Sequence, residues 1–386
     1  MRVPPAPDIT PLKQLSPSAY EALLRCKGRA AWAAHGDRSV VPQHPKALLG
    51  TCLHSVVEEA HNGTLPSGLD EQTRLSLARQ LFDRRAQTLY EQAHPLVRAK
   101  FSSPERLPYY NLYRERAALE ALASAQRVEQ AAPAAGASQP ARFVRLYAER
   151  RLVSRDGLLV GRPDLIDAAA QEVVDYKTGT ALDEAVDAVS PAEARQLRLY
   201  VHLALDNGIP VSRAVVARAD GRRAVIDVSK EEADAEGRKA RGLLAQYNAA
   251  AGVAFNKVAQ PSPDTCRFCP CIPFCEIFWQ VASPSWEEQC GVHVEGHITA
   301  VEASTLQGMK LITLRVGVQR GTLSAGEAFV EQIPEAWTTA DGSSPPREGV
   351  VVRIVHARRA GGDVPLVIRA DRTATSVWSA TAEAQR

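Results

Sequence analysis

The sequence predicts an α/β core, in which helices flank a mixed central sheet, followed by a small all-β domain. Short alternating apolar runs of strand length lie between residues 149 and 177, with longer segments of helical periodicity on both sides. From about Ser285 onward, the chain consists of short β-rich runs separated by glycine-rich turns. Helices around central strands, followed by strands alone, indicate two different packing units.

Length and charge limit the class of protein. The 386 residues are enough for two or three domains, and the formal net charge is only +2. Any nucleic-acid affinity must therefore come from local patches. The amino terminus lacks the apolar core of a signal peptide, and no apolar run is long enough to span a membrane. We therefore expect a cytoplasmic protein without a membrane partner.

The N-terminal region is predicted to be helical after a proline-rich start. Residues 1–14 contain several prolines, and we expect them to be loosely ordered. Ser18 and Glu21 have the spacing of a capping box, which predicts a helix that carries Cys26. A second helix is predicted over about residues 45–61.

A long helical insertion precedes the predicted strands. Residues 71–130 have helical periodicity, and residues 131–140, AAPAAGASQP, have the composition of a loop. Two alternating apolar runs then flank Asp156-Gly157, which is a strong hairpin signal. The second run ends in Gly161-Arg162-Pro163-Asp164. A third run, Val173-Val174, leads into Asp175-Tyr176-Lys177-Thr178-Gly179.

The next predicted helix begins with a capping box. Ser190 is the predicted N-cap, Pro191 takes the first helical position and Glu193 completes the box. Gln196 and Tyr200 are four residues apart, so they share one face of this helix. Alternation over residues 213–228 then predicts another hairpin with its turn at Asp220-Gly221, and a final helix covers about residues 230–250.

Two acidic residues stand near the ends of neighbouring predicted strands. Asp164 and Asp175 would repel each other unless a cation lay between them, and Mg²⁺ and Mn²⁺ favour oxygen ligands. Lys177 lies two residues beyond Asp175, so on a strand it faces the same side. There its ammonium group can orient a water or stabilise a developing phosphorane charge. Two acids and a lysine around a metal suit phosphodiester hydrolysis.

These motifs together resemble the nuclease domain of the RecB-like branch of the PD-(D/E)xK superfamily. That family carries a G-x-x-D strand, a D-Y-K-T-G strand and a Q-x-x-x-Y helix in the order seen here, and Glu149 matches an acidic position on the preceding strand. The alternative is a surface hairpin with ordinary charged residues. The resemblance implies a restriction-endonuclease-like core, DNA cleavage with Mg²⁺ or Mn²⁺, and site residues His54, Asp164, Asp175, Tyr176, Lys177, Gln196 and Tyr200.

The resemblance also assigns roles to these residues. His54, which follows Gly50-Thr51-Cys52-Leu53 as in the family's G-T-x-x-H motif, would bind metal with Asp164, Asp175 and the carbonyl of Tyr176. Lys177 would position the attacking water. Gln196 and Tyr200 would orient the site or the nucleic-acid backbone. The alternative for His54 is a lone helical histidine in a polar site, and Cys52 is interpreted as a core residue.

Four of the seven cysteines lie in one short segment, C-R-F-C-P-C-I-P-F-C over residues 266–275. We expect no disulfide framework in a reducing compartment, and such spacing suits a metal centre or cluster, with Zn²⁺ as one alternative. AddB-type and CRISPR-associated RecB-like nucleases hold a [4Fe-4S] cluster with one distant N-terminal cysteine and a C-x-x-C-x₅-C segment. The resemblance implies Cys26, Cys266, Cys269 and Cys275 as ligands, with Cys271 spare or competing. Lys27 stands where that family has proline.

The C-terminal run of short strands predicts a small barrel, for which we expect an OB-like fold. Such folds often bind single strands through basic and aromatic faces. The aromatic residues here are few, namely Phe329, Trp337 and Trp378, and the charges are balanced. Binding of DNA and docking of a partner are therefore equally good expectations for this domain.

The sequence thus predicts a RecB-like nuclease domain over residues 15–283 and a barrel over residues 285–386. We expect a divalent-metal-dependent exonuclease that acts on single-stranded DNA in repair, recombination or defence. The chain contains no G-x-x-x-x-G-K-[ST] phosphate loop, so a helicase would be a separate partner. The alternative is a non-catalytic, cluster-bearing DNA-binding or scaffold subunit of a helicase–nuclease complex.

Overall fold

The architecture comes from a computed structural model, which describes residues 1–35, 40–131, 146–177, 188–218, 222–324, 326–361 and 366–380. Most of the predicted 131–140 loop, Thr178-Gly179 of the predicted strand motif and the predicted turn at Asp220-Gly221 lie outside these ranges. Within them, no helix is long and apolar enough to cross a membrane.

The chain begins with two short helices, α1 (Pro17–Arg25) and α2 (Lys27–His35). The N-cap of α1 is Ser16, whose side chain accepts a hydrogen bond from the Ala19 N–H, and not the predicted Ser18. A proline directly after the cap favours this earlier start, because proline needs no N–H partner at the first helical position. Cys26 lies in extended backbone at the break between the two helices, and not within a helix as predicted.

Residues 1–14 pack against the rest of the molecule, so the prediction of a loosely ordered start is wrong. Met1 is 1% exposed, and Ile9 and Leu12 are also buried. The Met1 ammonium donates hydrogen bonds to the carbonyls of Thr338 and Val377. Apolar residues between the prolines therefore fill a surface that only the folded chain provides.

The helical insertion and the helix before it cover one face of the central sheet. The earlier helix is α3 (Pro45–Glu59), which continues into one wider turn over Ala60–Thr64. The insertion comprises α4 (Glu71–Gln92), α5 (Pro95–Lys100) and α6 (Tyr110–Ala131). The three long helices share one apolar core with the sheet, which includes Val56, Phe82, Leu165, Val174 and Val215. The predicted helical segment is thus three helices.

The central sheet has five strands in the order β1-β4-β5-β6-β7. Their bounds are β1 (Leu146–Ala148), β4 (Leu165–Asp167), β5 (Glu172–Lys177), β6 (Arg213–Arg218) and β7 (Arg223–Asp227). The β5–β6 pair is parallel and the other pairs are antiparallel. The predicted α/β core with a mixed sheet is therefore confirmed.

The predicted hairpin forms a separate two-stranded sheet of β2 (Leu152–Val153) and β3 (Val160–Gly161). Gly157 occupies its turn with a φ of +73°, a conformation that glycine adopts without strain. Gly161 is required for a different reason. A Cβ atom there would lie 2.6 Å from Leu203 Cδ1, so the glycine lets the next helix approach β3 closely.

That helix, α7 (Pro191–Asp206), packs with α8 (Lys230–Asn248) on the opposite face of the sheet. The predicted capping box of α7 is confirmed, because Ser190 accepts from the Glu193 N–H and the Glu193 carboxylate accepts from the Ser190 N–H. The core on this side contains Val173, Ala214 and Val216, which alternate along their strands with the residues facing the insertion.

The cysteine segment lies in a series of short helices between the core and the C-terminal domain. These are α9 (Phe255–Val258), α10 (Pro263–Cys266), a 3₁₀ turn (Ile272–Phe274), α11 (Glu276–Val281) and α12 (Glu287–Cys290).

The C-terminal domain is a closed five-stranded barrel with one additional strand, which confirms the predicted all-β domain. Its elements are β8 (Val292–Leu306), β9 (Met309–Gly321), β10 (Gly326–Pro334), α13 (Glu335–Thr338), β11 (Val351–Gly361), β12 (Leu366–Arg369) and β13 (Ser376–Ser379). The pairing order is β8-β9-β10-β12-β11 and back to β8, with β10 and β12 parallel. The sixth strand, β13, pairs with the first part of β11, before the residues of β11 that pair with β12.

A buried network of charges joins the barrel to the cysteine segment. Arg353 Nε lies 2.6 Å from Glu295 Oε2, and both side chains are less than a tenth exposed. The same guanidinium contacts the carboxylate of Glu276 and donates to the Pro273 carbonyl. Arg320 contacts both Glu276 and Glu295. The network thus connects β8, β9 and β11 with the loop that carries the cysteines.

We expect Arg353→Met to destabilise the protein by up to about 3–5 kcal/mol, because the buried Glu295 would keep only the more exposed Arg320 as a partner. Thermal unfolding monitored by circular dichroism would measure the loss. Arg369→Met is the matched control, since Arg369 pairs with Glu331 on the exposed barrel surface at 3.6 Å. Its effect should stay within about 0.5 kcal/mol. Equal stability of the two variants would contradict a structural role for the buried network.

Candidate active site and cysteine cluster

Three carboxylates lie in one row across the central sheet. Leu165 of β4 pairs with the last residue of β1 on one side and with Val174 of β5 on the other. The next position along each strand is acidic, namely Glu149, Asp164 and Asp175. Residues opposite each other in antiparallel pairs project from the same face, so the register gathers the three acids at one edge.

The backbone at Glu149 is strained. Its φ of +48° lies in the left-handed region, although it is not a glycine. Its N–H donates to the backbone carbonyl of Asp164 at 3.1 Å, which holds this conformation. A non-glycine residue in this region costs of order 1–3 kcal/mol and is found preferentially at functional sites. The strain therefore points to a functional role for the Glu149 side chain.

Helix α3 brings His54 to the two nearest acids. His54 Nδ1 lies 3.0 Å from Asp164 Oδ1 and 3.9 Å from Glu149 Oε1. One ligand atom from each of these three residues lies within 4.8 Å of the other two, a spacing that a single metal ion could occupy. Two carboxylates and one imidazole offer the oxygen ligands that Mg²⁺ and Mn²⁺ prefer, together with one nitrogen.

The electrostatics of the row favour a cation. Burial, followed by the charge of Asp164, raises the pKa of Glu149 to about 8. Burial also raises the pKa of Asp175 to about 6, although the Lys177 ammonium opposes this. For His54, burial lowers the pKa, but the hydrogen bond to Asp164 and the neighbouring carboxylates outweigh it, so the net pKa is raised. The donor set therefore fits a divalent metal held by His54, Glu149 and Asp164.

Asp175, at the other end of the row from Glu149, contacts Gln196 of α7 and Lys177 of its own strand. Its Oδ1 accepts a hydrogen bond from Gln196 Nε2 at 3.0 Å, and Lys177 Nζ lies 2.7 Å from its Oδ2. Lys177 also donates to Gln196 Oε1 at 2.8 Å, and Gln196 Nε2 contacts the Tyr200 hydroxyl at 3.3 Å. Gln196 thus fixes the relative positions of the acid, the lysine and the tyrosine.

The structure brings the side chains of His54, Asp164, Asp175, Lys177, Gln196 and Tyr200 into one site, while their individual roles stay predictions. Asp175 is not part of the three-residue group that surrounds the candidate metal position. The Tyr176 N–H donates to the Asp164 carboxylate, and its hydroxyl accepts from Arg127 at 3.2 Å. Metal binding by the Tyr176 carbonyl stays a prediction.

The resemblance matched Glu149 to an acidic position on the preceding strand but did not include it among the metal ligands. Glu149 directly follows β1, and its N–H donates to the Asp164 carbonyl. The strand pairing is what places its carboxylate beside Asp164 and His54.

A comparison with protein families places this chain in a known class. The chain matches the PD-(D/E)XK nuclease superfamily over residues 14–276, most of its length. It belongs to that superfamily, whose members are nucleases that use divalent metals. The match includes the site and the cysteine segment and leaves the barrel outside. No curated protein sequence matches the chain significantly.

Six buried cysteines form a second candidate centre, hereafter the cysteine cluster: Cys26, Cys266, Cys269, Cys271, Cys275 and Cys290. Cys26 lies within electrostatic range of Cys271 and Cys275, so the fold brings the N-terminal cysteine to the C-terminal segment. Cys290, which the sequence analysis counted without assigning, interacts electrostatically with Cys266. Cys52 is buried in the core of the helical insertion, as predicted.

In the described part of the chain, no three cysteine sulfurs lie within 4.8 Å of one another. The side chains of Cys269 and Cys271 are in hydrogen-bond contact. Buried thiols gathered in this way can hold a metal centre, and zinc and an iron–sulfur cluster are both candidates.

The raised pKa values make metal-free stability depend on pH. Because Glu149 binds a proton more tightly in the folded than in the unfolded chain, the free energy of unfolding falls as pH rises from about 4.5 to about 8. We expect the melting temperature in EDTA to drop between pH 5 and pH 8. Glu149→Gln should remove much of this drop. Each kcal/mol of unfolding free energy corresponds to roughly 2–4 °C in melting temperature.

Glu331→Gln, on the barrel surface, is the control and should keep the wild-type pH dependence. Added Mg²⁺ should raise the melting temperature more at pH 8 than at pH 5, because the carboxylates are then ionised. An unchanged pH dependence in Glu149→Gln would show that the carboxylate row does not carry the effect.

Proposed function

We propose that the protein is a RecB-like deoxyribonuclease that degrades single-stranded DNA as an exonuclease. What supports this is the row of Glu149, Asp164 and Asp175, held between His54 on one side and the Lys177–Gln196 pair on the other. A bound divalent cation supplies Lewis acidity and lowers the pKa of a coordinated water. All the polar groups that phosphodiester hydrolysis needs thus converge on one edge of the sheet.

Lys177, Gln196 and Tyr200 have separate roles in the proposed reaction. Lys177 Nζ orients the attacking water and stabilises charge that develops on the phosphate oxygens. Gln196 holds Lys177 and Asp175 at fixed positions, so that neither has to reorganise during the reaction. Tyr200 closes the network behind Gln196 and contacts the DNA backbone or supports the amide.

We assign the preference for single strands to the C-terminal barrel. Its strand order, the parallel pairing of its third and fifth strands and the short helix between its third and fourth strands suit an OB-like fold. Folds of this kind bind single strands more often than duplexes. The nuclease unit is residues 15–283 and the barrel unit is residues 285–386.

The cysteine cluster is proposed to hold a structural [4Fe-4S] centre. Cys26, Cys266, Cys269 and Cys275 are the proposed ligands, and Cys271 is a spare thiol. Burial raises the pKa of Cys275 to about 12, so without a metal this thiol stays protonated at neutral pH. Such a centre would connect the first helices to the segment that precedes the barrel.

The proposed setting is DNA repair, recombination or defence in the cytoplasm. The seven free cysteines suit a reducing compartment. A separate helicase would supply unwound strands, since the sequence carries no phosphate-binding loop motif.

We expect Asp175→Asn and Lys177→Met to reduce cleavage by roughly 10²–10⁴-fold, because each removes a group that acts on the water or the phosphate. The assay uses purified protein, Mg²⁺ or Mn²⁺, and single-stranded DNA, duplex DNA and RNA labelled at either end. Asp167→Asn, at the other end of β4, is the matched control and should cleave like wild type.

Shortening from one labelled end would support the exonuclease, and preference for single-stranded DNA would support the substrate assignment. DNA binding without cleavage in any metal would instead favour a non-catalytic binding or scaffold subunit.

Anaerobically purified protein should be brown, absorb near ~400 nm and contain about four irons per chain. Cys26→Ser and Cys275→Ser should lose iron, while Cys52→Ser, a buried cysteine outside the cysteine cluster, should keep it. Iron lost from Cys271→Ser but kept in Cys26→Ser would contradict the proposed ligands. A colourless protein with one zinc would contradict the cluster itself.

A further inference from the structure

A groove of about 970 Å³ lies between the nuclease core and the barrel. Its walls come from α2, the start of α3, the cysteine segment, and strands β11 and β13. This volume is at the upper end of the roughly 300–1,000 Å³ typical of small-molecule pockets. The groove lies outside the carboxylate site, and it borders the cysteine cluster at Cys269.

The charges of the groove suit a polyanion. Among its described lining residues are three cationic side chains, Arg29, Lys46 and Lys100, and no aspartate or glutamate. Lys100 is buried, and burial lowers its pKa to about 7, so Arg29 and Lys46 supply most of the positive charge at neutral pH. A phosphate backbone would meet attraction here without like-charge repulsion.

The groove also offers aromatic surface. Trp32, Phe101 and Trp378 contribute to its lining but are at most 6% exposed, so Phe268 supplies the accessible ring. Phe268 is 71% exposed, which is unusual for a phenylalanine beside a buried cysteine loop. Exposed aromatic rings next to positive charge are the two features that single-strand binding sites combine, because bases stack on the rings while phosphates contact the cations.

One helix connects the groove to the candidate active site. Ala47 and Thr51 of α3 line the groove, and His54 lies on the same helix. Spacings of four and three residues place all three on one face. With a rise of about 1.5 Å per residue, His54 is about 4–5 Å beyond Thr51 along the helix axis. A strand that follows this face therefore arrives at the carboxylate row.

The outer face of the barrel differs from the groove in carrying carboxylates beside its cations. Stacking of a cation on an aromatic ring does not distinguish the two, because Arg267 lies over the ring of Phe268 at 5.1 Å and Lys46 over the ring of Tyr109 at 4.5 Å. Arg315 lies over the ring of Phe329 at 4.9 Å and is 3.7 Å from Glu302 and 4.0 Å from Glu327. Arg369 is similarly paired with Glu331. A nucleic acid on this face would have to approach those carboxylates, and its phosphates would compete with existing ion pairs.

We infer that single-stranded nucleic acid lies in the groove between the core and the barrel, and not on the outer face of the barrel. The barrel contributes to this site through β11 and β13, which line the groove. The phosphates of the nucleic acid contact Arg29 and Lys46, a base stacks on Phe268, and the strand continues along α3 to His54. The continuation of the strand towards His54 rests on the proposed nuclease function. Binding in the groove does not depend on cleavage.

The test is fluorescence anisotropy of a labelled 12-nucleotide oligo-dT in EDTA, where cleavage is suppressed. Two groove variants, Lys46→Gln and Phe268→Ala, are matched by two barrel variants, Lys310→Gln and Phe329→Ala. We expect Phe268→Ala to weaken binding by about 5–100-fold, since a stacked base contributes ~1–3 kcal/mol. Lys46→Gln should weaken binding most strongly at low salt, because it removes one phosphate contact. Lys46→Gln should also reduce the slope of log K against log salt by about 1. The barrel variants should change the Kd less than twofold.

All four variants should melt within a few degrees of wild type, since Phe268 and Lys310 are exposed and lysine-to-glutamine changes are mild. Weakened binding in the barrel variants, with the groove variants unchanged, would overturn the inference. So would the absence of binding by wild type at low salt.

A parallel cleavage assay in Mg²⁺ or Mn²⁺ separates the two proposals. Groove-dependent binding without cleavage would overturn the nuclease proposal and leave the groove assignment standing. Cleavage that the groove variants perform as well as wild type would overturn the groove assignment and leave the nuclease standing.

Discussion

Repulsion among three partly or fully buried carboxylates is the constraint on which the rest of the site depends. Strand register places Glu149, Asp164 and Asp175 side by side, and burial prevents water from screening them. The fold counters this from both faces of the sheet, with His54 from α3 and Lys177 beside Gln196 of α7. A divalent cation would neutralise the negative charge that His54 and Lys177 leave uncompensated. The geometry that costs stability therefore also creates the candidate metal site.

The segment that carries the cysteines connects the two parts of the molecule. On one side it meets Cys26 at the break between α1 and α2. On the other, the Arg353 guanidinium contacts the Pro273 carbonyl and the carboxylates of Glu276 and Glu295. The groove lies beside this same segment. A change in the cysteine cluster would therefore affect the position of the barrel and the width of the proposed DNA path together.

Much of the core and its motifs could be predicted from the sequence because the signals are local. The capping box of α7, the glycine turn of the β2–β3 hairpin and the short apolar run of β5 each involve residues within a few positions of one another. Asp175 and Lys177 lie on β5, and Gln196 lies on α7. Once these elements were predicted, the side chains could be expected to share one site. The cap of α1 was misplaced by two residues, because two serines compete there and only the proline at the first helical position favours the earlier one.

The sequence by itself determined the α/β core, the superfamily and six of the side chains in the candidate site. The tertiary structure alone decided the place of Glu149, the neighbourhood of Cys290, the burial of residues 1–14, the closure of the barrel and the groove beside it. Each of these depends on contacts between residues far apart in the chain. Such contacts leave no periodicity or local motif in the sequence, since their free energy exists only once separate elements pack together.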